Sequence, residues 1–238
     1  MKLLVTTRAD SKIQEMTELT HPHIKAYAKK VGADFLILDS DNDFHHIDPK
    51  EKLNGKHAYR IFDQYDLFDE YDRILQVDSD VYITPSCPNI FHGVPYDYIA
   101  TVYEDKGSRR PHRHNCMFQI QQMFGDVGWR EGYINTGFFL ASKSHREIFN
   151  KIDDRYYDGF GYDDAHMGYL IHKHNFEVHE LPYQWNHMTM FSEVWNGSPS
   201  RFDSYNIHYA GAGIFDGGGP RLEQMKRDYK VIYEGIKS

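Results

Sequence analysis

The pattern Asp-x-Asp occurs three times in this chain, at Asp39-Ser40-Asp41, Asp41-Asn42-Asp43 and Asp78-Ser79-Asp80. Carboxylates two residues apart can hold a hard divalent cation and leave its open positions to phosphate oxygens. A three-residue pattern met three times decides nothing by itself, so its setting must discriminate. The first two copies overlap in a polar stretch whose spacing invites comparison with a calcium loop. That loop needs glycine at its sixth position and glutamate at its twelfth, where this chain has Phe44 and Lys50. The stretch reads as a solvated loop. Asp78 and Asp80 instead separate two apolar runs, Arg73–Val77 and Val81–Ile83, with no glycine or proline between them. In extended backbone, residues two apart project to the same side, so both carboxylates can face one cation. The competing account is a capped strand end carrying two solvated aspartates.

The elements around this pair follow a βαβαβ order. Leu3–Thr7 reads as a buried strand, followed by a helix capped by Thr20, with Pro22 in its first turn and Ile24, Tyr27, Ala28 and Val31 on one face. Gly32 ends that helix, Asp34–Leu38 is the next strand, and a polar loop runs to Gly55. A second helix is expected over Lys56–Glu70, with Tyr59, Phe62, Tyr65 and either Leu67 or Phe68 inward, before the strand Arg73–Val77. Such an order predicts a parallel sheet with helices on its faces and a ligand site at the carboxyl ends of the strands. Further strands are expected at Tyr96–Val102, Phe138–Ala141, Glu177–Leu181 and Ser204–Tyr209. Further helices are expected at Asn115–Phe124, Ser144–Asp153, Asp163–Lys173 and Arg221–Ile236. No repeat or linker interrupts residues 1–238, which read as one domain.

Bulk properties exclude some function classes. With 238 residues, 40% of them hydrophobic, the chain can bury a core without staples. Cys87 and Cys116 then read as free thiols of a reducing compartment. A formal charge of −8 argues against a nucleic-acid partner. The apolar stretch at the N-terminus is too short for a signal peptide, and no run suits a membrane span. A soluble, cytoplasmic protein is expected. The aromatic content of 15% suits a sugar or nucleotide cleft as well as ordinary core packing. His112-x-His114 and His172-x-His174 lack the second ligand pair of a zinc site and read as surface imidazoles.

Five stretches, in order, resemble the glycosyltransferases of the GT-A fold, most of all the family 8 enzymes that include glycogenin. Tyr71–Val81 resembles the segment carrying that family's paired aspartates, and Tyr133–Leu140 resembles its asparagine-glycine turn. Gly161–Met167 resembles the helix start that touches the donor sugar, although Asp164 stands where the family has glutamine. Leu181–Asn186 resembles a leucine-proline stretch ending in tryptophan-asparagine, and Ile207–Gly211 resembles the histidine-bearing segment. The resemblance implies an α/β fold with a mixed, mainly parallel sheet, a nucleotide and metal half at 1–105, and an acceptor and sugar half at 106–238. It implies Asp78, Asp80 and His208 as ligands of Mn²⁺ or Mg²⁺, and Asn135, Asp163 and Asp164 as the residues of transfer. It places Thr6, Thr7, Arg8, Ser79 and Gly211 beside the donor, together with a basic residue that is either Lys56 or Arg60.

The expected activity is transfer of a sugar from a nucleotide sugar, with UDP the favoured nucleotide, to a glycan or other hydroxyl acceptor. Family likeness implies retention of configuration; inversion would need a base, for which Asp163, Asp164 or Glu193 are the candidates. The family's diphosphate-neutralising lysine is missing here, and Arg221, Lys226 or backbone N–H groups of the glycine-rich stretch 212–219 are the possible substitutes. The only basic cluster, Lys106–His114, suits an acidic or phosphorylated acceptor, or is a solvated loop. Two other classes compete: a nucleotidyltransferase, for which Thr6–Asp10 lacks the usual glycines, and a non-catalytic sugar-nucleotide-binding protein.

Overall fold

The computed structural model describes residues 1–39, 56–211, 215 and 219–235. The overlapping aspartate run beyond Asp39, the side chain of Lys56 and most of the glycine-rich stretch 212–218 lie outside the described residues.

Strands β1 (Leu3–Ala9), β2 (Asp34–Asp39) and β3 (Arg73–Val77) are mutually parallel, with β1 in the middle. The expected parallel order of these three strands is therefore borne out, with α1 (Gln14–Val31) as the first crossover. Strands β5 (Ile99–Thr101), β6 (Phe138–Ser142) and β7 (Val178–Glu180) complete a six-stranded sheet in the order β2-β1-β3-β6-β5-β7. β6 runs antiparallel to both β3 and β5, while β5 and β7 are parallel, so the sheet is mixed. The alternating pleat sends Leu4, Ile74, Phe139 and Ala141 into one core cluster and Val5, Leu75, Phe138 and Leu140 into another. Burial on both faces is why these strands read as unbroken apolar runs.

A separate two-stranded ribbon pairs β4 (Val81–Ile83) with β8 (Asn206–His208), antiparallel, with Val81 opposite His208. Helix α6 (Arg221–Tyr233) covers it over a small third core containing Tyr82, Ile207, Tyr209 and Met225. Short helices α2 (Gln64–Leu67) and α3 (Ile90–Gly93), with α4 (Arg110–Phe124) and α5 (Tyr162–Lys173), complete the layers.

Three expectations are corrected. Helix α1 starts at Gln14, not Thr20: Asp10 caps the preceding turn, accepting from Lys12 N–H. Thr20 is interior, and its hydroxyl donates to the carbonyls of Met16 and Ser79; Pro22 is tolerated inside the helix at the cost of one backbone bond. Only Met16 is buried in the first six residues of α1, so the apolar period shows only farther on. The helix expected over 56–70 is mostly a 3-10 turn, Lys56–Asp63, which spaces the buried Tyr59 and Phe62 one turn apart. The basic cluster is no loop: Lys106 precedes a 3-10 turn, Gly107–Arg109, that runs into α4.

Candidate active site

The chain from β3 to β4 turns tightly at Asp78-Ser79-Asp80, with Val81 N–H donating to Asp78 C=O at 3.1 Å. The two carboxylates converge through this turn, not through strand alternation. Asp78 N–H donates to Gly137 C=O at 2.9 Å, and Tyr209 N–H to Asp80 C=O at 3.0 Å, so the turn is anchored on both sides. Pairing of β4 with β8 then delivers His208 beside it. One ligand atom from each of Asp78, Asp80 and His208 lies within 4.8 Å of the others. His208 Nε2 is 3.2 Å from Asp80 Oδ1 and 3.9 Å from Asp78 Oδ2. Two hard carboxylates and an imidazole nitrogen converging on one point fit a small divalent cation.

This triad sits in a cleft of about 500 Å³ beyond the carboxyl ends of β1 and β3. Cations hold the carboxylates apart. Arg8, at the end of β1, donates to Asp78 Oδ1 at 2.5 Å and to Asp163 Oδ2 at 2.7 Å. Arg221, at the start of α6, donates to Asp80 Oδ2 at 2.8 Å. Burial disfavours the Asp78 carboxylate, but the charges of Arg8 and His208 outweigh it and hold its pKa below the usual value. Burial likewise opposes the imidazolium of His208, and Asp80 and Asp78 overcome it, raising its pKa. Each charged form is stabilised by a neighbour of opposite sign.

Opposite the triad, Gly161 (φ 96°) and Tyr162 (φ 40°) turn the chain into α5 in left-handed backbone and present Asp163 and Asp164 to the cleft. Thr136 ties both: its hydroxyl donates to Asp163 Oδ2 at 2.9 Å and its N–H to Asp164 Oδ1 at 2.8 Å. Burial, then the charges of Asp163 and Glu104, push the Asp164 carboxyl well above the ordinary range. Glu104 is buried at the floor and paired with Arg113 at 2.5 Å.

Of the expected site residues, the structure brings Arg8, Asp78, Ser79, Asp80, Asn135, Asp163, Asp164, His208 and Gly211 to one cleft. Thr6 and Thr7 are not among its lining: both are fully buried behind it, bonded to Gln64 and Gln76 and to Ser79 respectively. Arg60 is also not in the cleft; it is buried and paired with Asp63 at 2.5 Å. Lys226 pairs with Glu15 and Glu223 on the surface, so of the two side chains considered for the diphosphate it is Arg221 that reaches the site. From the basic cluster only Arg113 enters the cleft. Glu104 and Thr136 escaped sequence reasoning, and Asn186, the partner of His208, entered it only as the end of the Leu181–Asn186 stretch, with no role at the site. Glu104 follows the carboxyl end of β5, where a strand-end search would have found it.

No family model matches this chain, and no curated protein matches it. Solved structures do. A glycosyltransferase involved in glycosylating the major capsid of PBCV-1 superposes with a TM-score of 0.58 at 17% identity, covering 98% of this chain and 100% of that one. The galactosyltransferase LgtC, in complex with donor and acceptor sugar analogues, gives a TM-score of 0.58 at 13% identity, with 97% and 96% covered. The bifunctional WbbM structure gives 0.60 at 12% identity over 98% of this chain, which spans half of that larger protein. Mixed sheet, ribbon and flanking helices together have the GT-A fold of these glycosyltransferases.

Proposed function

We propose that the protein is a metal-dependent glycosyltransferase that moves a sugar from a nucleoside diphosphate sugar, UDP-linked, to a hydroxyl of a glycan or similar acceptor, with retention. The observation that carries this reading is the meeting of Asp78 and Asp80, in the turn that leads into β4, with His208 of the paired strand β8, in a cleft at the carboxyl ends of β1 and β3. Bound there, Mn²⁺ or Mg²⁺ would supply Lewis-acid stabilisation of the departing diphosphate.

The chain's own groups divide the remaining work. Arg221, already beside Asp80, supplies the charge that neutralises the diphosphate. Arg8 holds Asp78 and Asp163 in one frame, so the ligand turn and the sugar-side helix keep a constant separation. Asp163 and Asp164, side by side at the start of α5, hold the sugar hydroxyls. Residues 1–105 carry the nucleotide half and the two aspartate ligands, and 106–238 the sugar and acceptor half, which also lends His208 and Arg221 to the first. The two free, buried cysteines suit a cytoplasmic enzyme.

Calorimetry with a panel of nucleotide sugars, with and without Mn²⁺, tests the reading. One UDP-sugar is expected to bind only with the metal, and Asp80→Ala is expected to weaken it at least about tenfold, as loss of a charged ligand should. Binding indifferent to both metal and substitution would sink the proposal. Release of UDP on incubation with the bound donor separates an enzyme from a binding protein.

A further inference from the structure

Behind the triad runs a buried chain of amides whose polarity is set by the backbone. Gly137 N–H donates to Asn135 Oδ1 at 2.9 Å. A backbone N–H can only donate, so the Asn135 atom facing it is the oxygen. Asn186 Nδ2 meets that same oxygen at 2.8 Å and must donate as well. The other end of the Asn186 amide is then its oxygen, and it lies 2.9 Å from His208 Nδ1. A carbonyl oxygen accepts, so His208 carries a proton on Nδ1, and in the neutral ring the lone pair is left on Nε2, the nitrogen that faces Asp78 and Asp80. The far end agrees: Asn135 Nδ2 donates to the Glu104 carboxylate at 3.2 Å.

Register holds this relay in place. The segment bearing Asn186 bridges onto β8 in parallel at His187–Ile207, and His208 N–H donates to His187 C=O at 3.0 Å. Gly137 contributes space too: a Cβ there would collide with the His208 ring and lie 2.9 Å from Asn135 Oδ1. Asn135, Asn186 and His208 are all buried, so water does not replace a missing partner cheaply.

We infer that Asn186, oriented by Asn135 and the Gly137 amide, is a positioning residue that selects the His208 tautomer able to bind a metal through Nε2. Asn135 therefore spends its carbonyl on this relay and offers the cleft no more than one N–H. The inference rests on the metal-site reading above, because the tautomer matters only if Nε2 is a ligand.

The test has two arms. In the metal-free protein, at a pH above the titration of His208, ¹⁵N NMR of the imidazole is expected to show Nδ1–H; an Nε2–H signature overturns the relay. In the second arm, Mn²⁺ alone is titrated into wild type, Asn186→Leu and Asn186→Asp, with folding checked by circular dichroism. The leucine variant, matched in size but without an acceptor, is expected to lose about 10- to 100-fold in affinity. The aspartate variant still accepts from Nδ1–H and is expected to keep most of it. A folded leucine variant with wild-type affinity overturns the proposal. If the leucine variant does not fold, the aspartate variant and the wild-type spectrum decide. Wild type showing Nδ1–H but no Mn²⁺ affinity upholds the relay and sinks the metal reading.

Discussion

At the residue scale, the site is a set of charges balanced pairwise in a buried place. Arg8 is the joint between the halves of the cleft, since Asp78 and Asp163 have it in common. Replacing it by a residue of similar bulk, Arg8→Met, leaves two largely buried carboxylates without their cation. Urea unfolding should show a loss of roughly 3 kcal/mol in the absence of metal. Mn²⁺ should recover part of that loss by neutralising Asp78, and a loss equal with and without Mn²⁺ would separate Arg8 from the metal site. The aspartate pair was legible in the sequence because it separates two apolar runs, where few structural tasks need such groups, whereas His208 was legible only through the resemblance of its segment. Thr6, Thr7 and Arg60 were misplaced because their direction depends on Gln64, Gln76, Ser79 and Asp63, partners that no local pattern reveals.

At the element scale, the start of α5 is the most constrained junction. Gly161 holds a φ of 96°, and any Cβ there would collide with Tyr133 Oη, a buried hydroxyl with no hydrogen-bond partner among the described residues. Gly161→Ala is expected to cost about 2 kcal/mol or more in denaturant unfolding, since backbone strain and the collision add. It should also shift Asp163 and Asp164 and weaken donor binding in the same preparation. A variant of unchanged stability would mean that this turn is free to relax. The strands were legible here, since burial on both sheet faces leaves a plain apolar signal. The direction of β6 was not, because antiparallel pairing with β3 and β5 is a property of its neighbours. The 3-10 turn at Lys56–Asp63 was hidden for a related reason: Ala58 to Phe62 are buried throughout, so no polar face marks the period.

At the scale of the whole molecule, buried imidazoles couple the fold to pH. His166 Nδ1 accepts from Tyr157 N–H at 3.2 Å and Nε2–H donates to Asn150 C=O at 2.7 Å, an arrangement only the neutral ring can make. Burial pushes its pKa down to about 4, and that of His187 likewise to about 4. The unfolded chain binds these protons near the ordinary histidine value of 6.5, so it holds more protons than the native state between pH 6.5 and 4. Stability is complete above that window and falls as pH drops through it, by on the order of 3 kcal/mol for His166. Urea unfolding across this range should show a shallower fall for His166→Gln than for wild type. Equal slopes would mean that His166 is not held neutral.

The sequence by itself determined that a parallel βαβαβ unit exists, that Asp78 and Asp80 lie at its carboxyl edge, and that His208 ends a late strand. These follow from hydrophobic period and from the expense of burying charge, both of which are local. Tertiary structure decided how the pieces meet: the β4–β8 ribbon brings His208 to the turn, Arg221 rather than Lys226 reaches Asp80, and Asn186 faces Nδ1. Hydrogen bonds and ion pairs act over a few ångströms in space between residues far apart in the chain, so their partners exist only once the fold has formed.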